Sequence, residues 1–544
     1  MHNSLNTAKK ERISAVLLIC LVVLCLLWKT VTGFDADEQC AIVTAHRFIM
    51  GDRYMLDMFD AYQFSALFAA PFWYVSLSLF PAYPVIAFRL VSIVIYAFGS
   101  IPVYRWLARR TESSYIGLLS ALVWITALPK SILSLDHSNL AMMFITYIVL
   151  LLDSWDKQHP RPVLMGVLVS ALALCYPPMV ITAVFVFLFM AFKGQLMEAL
   201  KYTVICFVLA GIVFAPVIMN AGISGLLHGV HMILLDGSHS LPPAVKIAAM
   251  KADGNAFAHY AVRMCMYAAA AAGLVTATEV IMKKTDLKPV RYLMIAASIP
   301  FCHIIAILTL RGGSPIDYYD RYLLVLILTI LAAIAHRDGR GLISCLYLVT
   351  AWIIAIAFTN NGFFAADAYV MISVLLLAAV AAASVKKKEI SAFLTMVLVS
   401  QCACLFLCAR LTGTMPNSVF HEEFIGSGEF PFMKLEKQSA DFFAYACSSE
   451  ELMESDNLVV SGYDEYAYVI LDKNILAPVT ISTISYGPQW EEYYAGKMPH
   501  DINVLAQNDD NKASELLKIL SRWYTVMEVS DGNEKYDLYY LKKQ

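Results

Sequence analysis

Gly33-Phe34-Asp35-Ala36-Asp37-Glu38-Gln39 places three carboxylates within four residues, directly after an apolar run that ends near Val31. Charged side chains are stable in water but costly in hydrocarbon, so this cluster is expected just outside a membrane. It therefore marks the end of a first membrane-spanning helix. We interpret the cluster as the functional centre of the chain. The alternative is a solvated acidic loop, because charged residues are common at membrane boundaries.

The composition is that of a protein with many membrane-spanning helices. Of its 544 residues, 59% are hydrophobic and 15% are charged, whereas soluble domains are about 45–50% apolar and about 25% charged. The net charge of −3 gives no reason to expect nucleic acid as a partner. Lys9-Lys10-Glu11-Arg12 precede a first apolar run that is too long for a signal-peptide core, so we expect an anchor whose basic end is cytoplasmic.

The number of spans depends on one aromatic stretch, Tyr62–Phe80. A span needs about 20 apolar residues, and Lys and Arg should collect in cytoplasmic loops. If Tyr62–Phe80 crossed the membrane, Arg105 and its basic neighbours would fall outside. We therefore predict one outer loop, about residues 32–83, with two helices that lie on the membrane surface, Ala41–Met50 and Tyr62–Phe80.

Thirteen spans then alternate in direction, with every short basic cluster on the cytoplasmic side. The predicted spans are Ile13–Val31, Val85–Tyr104, Tyr115–Ile132, Asn139–Leu152, Val163–Cys175, Val180–Phe192, Leu200–Met219, Tyr260–Met282, Tyr292–Leu310, Tyr322–Ala335, Leu342–Phe358, Ala368–Val385 and Ile390–Ala409.

The character of the chain changes near Arg410, where apolar runs give way to mixed, polar sequence. We predict a transmembrane domain over residues 1–410 and a soluble α/β domain over 411–544, which the topology places outside the cytoplasm. The fold class is thus a mainly α, polytopic membrane protein of the plasma membrane with an extracytoplasmic α/β domain.

A second informative acid, Asp136, lies at an outer boundary between two predicted spans. A carboxylate there could bind a divalent metal such as Mg²⁺ or Mn²⁺, or could change the pKa of a neighbouring carboxyl. It could equally be the N-cap of the helix that begins near Asn139. Both interpretations stay open at the level of sequence.

Outer cations and histidines complete the candidates. Arg89 lies at the outer end of an apolar run, where it could meet a phosphate or extend to lipid headgroups. His228, His231 and His239 fall in a predicted outer loop, about residues 220–258. Their spacing does not define a zinc site, so a wet loop that closes over substrate is the preferred interpretation.

The order of these features resembles the GT-C membrane glycosyltransferases that use polyprenyl-phosphate sugars, of the protein O-mannosyltransferase and aminoarabinose-transferase type. The resemblance rests on Ala36-Asp37-Glu38 after the first span, Gly51-Asp52, Arg89-Leu90, Asp136 and Arg321-Tyr322. By motif it covers roughly residues 10 to 180, and beyond that only the topology is similar. The Lys-Pro that precedes the interfacial helix in some relatives is absent.

The resemblance implies a GT-C-like fold and transfer of a sugar, with inversion, from a lipid carrier to an acceptor protein, lipid or glycan. Asp37 would be the general base, supported by Glu38, and Asp35 is a rival base or a metal or acceptor ligand. Asp136 would bind metal or acceptor. Arg89, Arg321 and Tyr322 would lie near the donor phosphate. The alternatives are a flippase for lipid-linked sugars, and a polysaccharide polymerase or ligase.

Overall fold

The structure is a computed structural model. It describes residues 2–129, 132–236, 320–358, 371–410, 417–419, 422–425, 430–462, 464–480, 486–496, 501–507, 512–528 and 535–544, with a few isolated positions between 244 and 296. The predicted span Tyr260–Met282 and His239 lie outside the described residues, as does nearly all of Tyr292–Leu310.

Helices make up most of the described chain. Up to the C-terminal region they are α1 (His2–Thr30), α2 (Ala36–Met50), α3 (Ala66–Leu79), α4 (Pro84–Thr111), α5 (Ser114–Thr126), α6 (His137–Asp153), α7 (Pro162–Cys175), α8 (Thr182–Phe192), α9 (Leu196–Leu234), α10 (Asp320–Ala335), α11 (Gly339–Phe358), α12 (Ser373–Ala381) and α13 (Lys387–Leu407).

Five helices in the described chain are long and apolar enough to cross a membrane. They are Lys9–Thr30 within α1, and α4, α9, α11 and α13. The other predicted spans that the structure describes are shorter apolar helices, such as α5 and α7. In the bundle α5 packs against both α4 and α13, and buried Thr126 donates a hydrogen bond to Gln401 across that contact. The fold is therefore mainly helical, as predicted, while the count of thirteen spans stays a prediction.

Several predicted boundaries differ in the structure, and two of these differences affect the candidate site. The first outer helix begins at Ala36 instead of Ala41, because Asp35 caps it, so the acidic cluster lies in a helical turn. Residues 220–234 were expected in a loop but continue α9, which kinks at Gly222 (φ 69°) and then resumes. A glycine with positive φ interrupts helical geometry without ending the helical sequence pattern.

The C-terminal region builds an α/β unit around a five-stranded sheet. Its sheet order is β6-β5-β7-β9-β8, with β5 parallel to β6 and β7, and β9 antiparallel to β7 and β8. The strands of that sheet are β5 (Asn457–Ser461), β6 (Asn474–Ile475), β7 (Ile502–Gln507), β8 (Tyr524–Glu528) and β9 (Tyr536–Lys543). The helices are α14 (Lys437–Ser449), α15 (Ala467–Ile470), α16 (Pro488–Gly496) and α17 (Lys512–Leu520).

Four short strands precede this sheet and form two antiparallel pairs. They are β1 (Cys408–Arg410) with β2 (Asn417–Ser418), and β3 (Glu422–Phe424) with β4 (Lys434–Glu436). Strand β4 also reaches the outer loop, because Gly33 N donates to Lys434 O at 2.9 Å and Lys434 N donates to Val31 O at 2.7 Å. The C-terminal region is therefore hydrogen-bonded to the segment that directly follows α1.

Candidate functional site

The acidic cluster forms the first turn of α2. Asp35 is the N-cap residue: its Oδ1 accepts a hydrogen bond from Asp37 N at 2.9 Å, and its side chain is buried. Asp37 and Glu38 follow in the first turn, where the helix dipole favours negative charge. The helix ends at Gly51 in a left-handed conformation (φ 102°), which explains the Gly-Asp that follows the helix in the sequence.

Glu38 forms a buried ion pair with Arg89 of α4. Nη2 and Nε of Arg89 donate to the two carboxylate oxygens of Glu38 at 2.6 and 2.8 Å. Ser134 also donates to Glu38. Burial alone would raise the pKa of Glu38, but the charge and hydrogen bonds of Arg89, helped by Ser134, hold it below its usual value. Glu38 is therefore ionised at neutral pH.

The remaining donors of Arg89 hold the chain that leaves α1. Nη1 donates to the carbonyl oxygens of Lys29 and Thr30 at 3.3 and 3.0 Å, and Nη2 donates to that of Gly33. The guanidinium also lies over the Phe34 ring, 5.7 Å from its centroid. Contact with the donor phosphate stays a prediction for Arg89. Its observed contacts are those of a residue that positions Glu38 and the start of the outer loop.

The three clustered acids differ in accessibility. Asp35 and Glu38 are each 2% exposed, whereas Asp37 is only partly buried. Of the three, Asp37 therefore has the carboxylate that is the most accessible to a substrate. This difference could not be read from the sequence, where the three residues look equivalent.

The segment before α6 adjoins this cluster. Asp136 is fully buried and caps α6, since its Oδ1 accepts from Asn139 N at 2.8 Å. The N-cap alternative is therefore realised, and Ser134, two residues before Asp136, contacts Glu38 of the acidic cluster. A metal or acceptor role for Asp136 stays a prediction.

An aromatic stack lies next to Asp136. The Tyr62 ring stacks on His137 with centroids 4.2 Å apart and on Tyr176 with centroids 5.0 Å apart. His137 Nδ1 lies 3.9 Å from Asp136 Oδ2. The structure thus gathers three segments that the sequence placed on the same membrane side, around Tyr62, Asp136 and Tyr176.

The predicted substrate-loop histidines lie on α9 beyond its kink. His228 Nδ1 is 3.5 Å and His231 Nε2 is 3.2 Å from the carboxylate of Glu492 in α16. Both imidazoles are about half exposed, with side-chain exposures of 53% and 55%. They therefore join α9 to the C-terminal region, and the loop predicted at these positions is wrong.

Tyr322 lies in the helical bundle. Its hydroxyl accepts a hydrogen bond from Gln401 Nε2 at 2.9 Å, and its ring is buried. Of Arg321 the structure describes the backbone, in α10, and nothing of the side chain. The proposed contact of this pair with a donor phosphate stays a prediction.

The residues present do not offer a ready metal site. Over the described part of the chain, no group of three His, Cys, Asp or Glu side chains is placed to hold a metal ion. Asp35 and Glu38 are already occupied by a helix cap and a guanidinium. A role for Mg²⁺ or Mn²⁺ therefore stays a prediction, and the chemistry below uses protein groups.

The C-terminal region covers α2, which the sequence did not reveal. Gln39 Nε2 donates to Asp464 Oδ1 at 3.2 Å, and Tyr466 N donates to Gln39 Oε1 at 3.1 Å. Asp60 of the outer loop accepts from both the backbone N and the hydroxyl of Thr480, at 2.7 and 3.0 Å. Burial raises the pKa of Asp60, and its contacts with Thr480 and Arg47 offset that rise in part. The acidic turn is thus enclosed by both parts of the chain.

A cavity of about 760 Å³ lies elsewhere, at the opposite end of α4, and is lined by Arg105, Trp106, Arg109 and Arg161 among others. Arg89 and Arg105 are 16 residues apart on one helix, which corresponds to about 24 Å at 1.5 Å per residue. Asp37 does not line this cavity, so we place the candidate site by its chemistry and not by cavity size.

No family model and no curated protein matches this chain. Solved structures similar to it include the oligosaccharyltransferase of Archaeoglobus fulgidus, in complex with Zn and sulfate, at 14% identity and a TM-score of 0.46, covering 95% of this chain and 72% of that one. ArnT from Cupriavidus metallidurans bound to undecaprenyl phosphate is 13% identical, with a TM-score of 0.43. The match covers 96% of this chain and 97% of the ArnT chain. Its apo structure has a TM-score of 0.35. Because every TM-score is below 0.5, the function proposed next is argued from this chain's own residues.

Proposed function

We propose that this protein is an integral membrane glycosyltransferase that moves a sugar from a polyprenyl-phosphate carrier to a hydroxyl-bearing acceptor at the outer membrane face. The observation that carries the proposal is the first turn of α2. It holds two buried acids, the capping Asp35 and the ion-paired Glu38, beside the more accessible Asp37.

The chemistry assigned to Asp37 is that of a general base. As the acceptor oxygen attacks the anomeric carbon, its proton passes to the Asp37 carboxylate. The bond between the anomeric carbon and the phosphate oxygen breaks, and polyprenyl phosphate leaves with the electron pair. Attack opposite the leaving group inverts the anomeric configuration.

The neighbouring groups support that role by fixing the position of the base. The cap made by Asp35 and the pair of Glu38 with Arg89 set the orientation of the first turn. A rigid turn keeps Asp37 in place without reorganisation during the reaction. The apolar helices that are long enough to cross a membrane suit a donor whose carrier is a lipid.

Incubation of the purified protein with a panel of radiolabelled polyprenyl-phosphate sugars tests this proposal, with hydrolysis and transfer both scored. Asp37→Asn should lower transfer by about 10²–10⁴-fold, the usual contribution of a general base, while the thermal midpoint stays unchanged. Asp441→Asn, at an exposed position of α14, is the matched control and should transfer normally. Near-normal transfer by Asp37→Asn would remove Asp37 as the base.

The same assay separates the alternatives. A flippase would move labelled donor across the bilayer of a vesicle without releasing polyprenyl phosphate. A polymerase or ligase would give products that carry many sugars. A single transferred sugar together with released carrier supports the proposed reaction.

A further inference from the structure

Glu465 is a buried carboxyl that the proposed reaction does not yet use. It lies in the C-terminal region, between β5 and α15, and is 0% exposed. In the described part of the chain no other residue hydrogen-bonds either carboxylate oxygen, and only the backbone N–H of Glu465 itself acts on the carboxyl. Burial of a polar group without a partner costs free energy, so a residue of this kind calls for an explanation beyond packing.

The surroundings of Glu465 connect it to the acidic turn of α2. Its neighbours in sequence, Asp464 and Tyr466, are both hydrogen-bonded to Gln39, two residues after Asp37. Gln507 of β7 holds the other oxygen of Asp464 at 2.9 Å. The segment that carries Glu465 is therefore fixed on both sides, against α2 and against the sheet.

Electrostatics agree with this placement. Burial raises the pKa of Glu465 well above its usual value, and the negative charges of Asp464, Asp37 and Asp35 raise it further. The protonated form of Glu465 is therefore favoured relative to that of a solvated glutamate. A neutral carboxyl has an O–H donor and a carbonyl acceptor, whereas an ionised one only accepts.

We propose that Glu465 binds the acceptor: its buried carboxyl hydrogen-bonds a hydroxyl-bearing molecule and holds that molecule against Asp37. This rests on the proposed function and adds to it a residue from the C-terminal region. Two carboxyls in different environments then have different tasks, since the partly buried Asp37 takes the proton and the fully buried Glu465 orients the group that loses it. Glu465 donates a hydrogen bond to the acceptor, exchanges no proton with it and forms no covalent bond.

Stability and activity should move in opposite directions when Glu465 is replaced. Glu465→Met keeps the length of the side chain and removes a buried polar group that lacks a partner, so the thermal midpoint should rise or stay the same. The KM for the acceptor should nevertheless rise at least tenfold. Glu465→Gln, which can both donate and accept, should recover much of the lost affinity. A purely structural glutamate would not give this combination.

Failure of the role proposed for Glu465 can be told apart from failure of the proposed transferase function. If the wild-type protein transfers no sugar, the transferase assignment fails and Glu465 loses its role with it. If the wild type transfers sugar and Glu465→Met, properly folded, has wild-type acceptor KM and kcat, the acceptor role of Glu465 is overturned. Should Glu465→Met fail to fold, Glu465→Ala takes its place, and a folded Glu465→Ala protein with wild-type acceptor KM and kcat would overturn the role too.

A second, independent observation is the cavity at the far end of α4. The guanidinium groups of Arg105, Arg161 and Arg340 line it, and they make no hydrogen bond or ion pair with the rest of the described chain. Leu164, Leu168 and Trp106 supply an apolar wall of the same cavity. Asp153 and Asp156 also line the cavity, and the charge of Arg340 acts on both carboxyls, but the five arginines of the lining outnumber these two acids. A net positive lining beside an apolar wall matches a ligand that has an anionic head and a hydrocarbon part.

We infer that this cavity binds the phosphate headgroup of an anionic membrane lipid, with the acyl chains along the apolar wall. A free phosphate ion shares the headgroup chemistry but makes no use of the leucines. The predicted topology puts this end of α4 at the cytoplasmic surface, opposite the acidic turn.

Native mass spectrometry of the detergent-purified protein with added phosphatidylglycerol or phosphatidylcholine tests the inference. The wild type should retain phosphatidylglycerol at least tenfold more than phosphatidylcholine, and the triple variant R105Q/R161Q/R340Q should lose that preference. The matched control is K9Q/K10Q/R12Q, which removes three positive charges near the start of α1. This end of α1 contacts α5 through the hydrogen bond between Ser14 and Tyr115. An equal loss in the control would overturn the site, as would inorganic phosphate displacing the lipid completely.

Discussion

Arg89 and Glu38 form a two-point ion pair inside the protein, between α4 and the first turn of α2, with both side chains at most 3% exposed. Removal of one partner from a buried pair leaves an uncompensated charge and typically costs about 3–5 kcal/mol. We therefore expect Arg89→Met to lower the free energy of unfolding by about that amount. Thermal unfolding in detergent measures it.

The double variant Glu38→Gln/Arg89→Met is the control for that pair. It removes both charges, so it should be more stable than Arg89→Met alone. If the single and double variants lose equal stability, the pair does not hold the outer loop in the manner described.

Two variants of Asp136 separate its role as the cap of α6 from a role in the reaction. Asp136→Ala removes the cap of α6 and should cost about 0.5–2 kcal/mol of stability, whereas Asp136→Asn keeps a good capping side chain. If Asp136 also binds acceptor, Asp136→Asn should keep its thermal midpoint and lose transfer activity. Normal transfer by a stable Asp136→Asn protein would leave Asp136 with the cap alone.

His46 predicts a loss of stability in mild acid. It is 4% exposed, and neither ring nitrogen has a hydrogen-bond partner in the described chain. Burial lowers its pKa, which the charge of Asp472 offsets in part. The pKa of His46 is thus lower in the folded protein than in the unfolded chain, where it is about 6.5. The folded protein therefore keeps its stability above about pH 6.5 and loses stability as the pH falls below that value, because the unfolded chain binds the proton first.

Comparison of the wild type with His46→Leu between pH 7 and pH 5 checks this. The stability difference between the two proteins should shift in favour of the variant as the pH falls. A difference that does not change with pH would show that His46 titrates alike in the folded and unfolded states.

The contacts of His228 and His231 with Glu492 should contribute little to stability. All three side chains are more than one-third exposed, and ion pairs at such positions are worth about 0–1 kcal/mol. We expect Glu492→Gln to change the thermal midpoint by no more than a degree or two for that reason. A large loss of stability would mean that the contact between α9 and α16 depends on this carboxylate.

Much of the fold was visible in the sequence because it depends on local patterns. Apolar length and basic clusters indicate the helices, and Gly51 marks the end of α2. The break at Gly222 was misread as the start of a loop, because a positive φ at one glycine lets α9 continue to Leu234. A one-residue kink is invisible to hydropathy averaged over a window.

The site was predictable only in part. Arg89 could be recognised as an unusual charge at a membrane edge, but its partner Glu38 lies 51 residues earlier in the chain. Glu465 carried no local signal, because its significance comes from burial against α2. Side-chain partners that distant in sequence are set by tertiary packing, which periodicity and spacing do not encode.

The attachment of β4 to the residues after α1 has a consequence for synthesis. Gly33 N donates hydrogen bonds to the carbonyl oxygen of Lys434 and to the carboxylate of Glu422. Glu422 lies 389 residues after Gly33 in the chain. At the usual translation rate of about 5–20 residues per second, roughly 20–80 s pass between the emergence of the two partners. The contacts of Gly33 with the C-terminal region therefore form only late in synthesis, after Glu422 and Lys434 have been added.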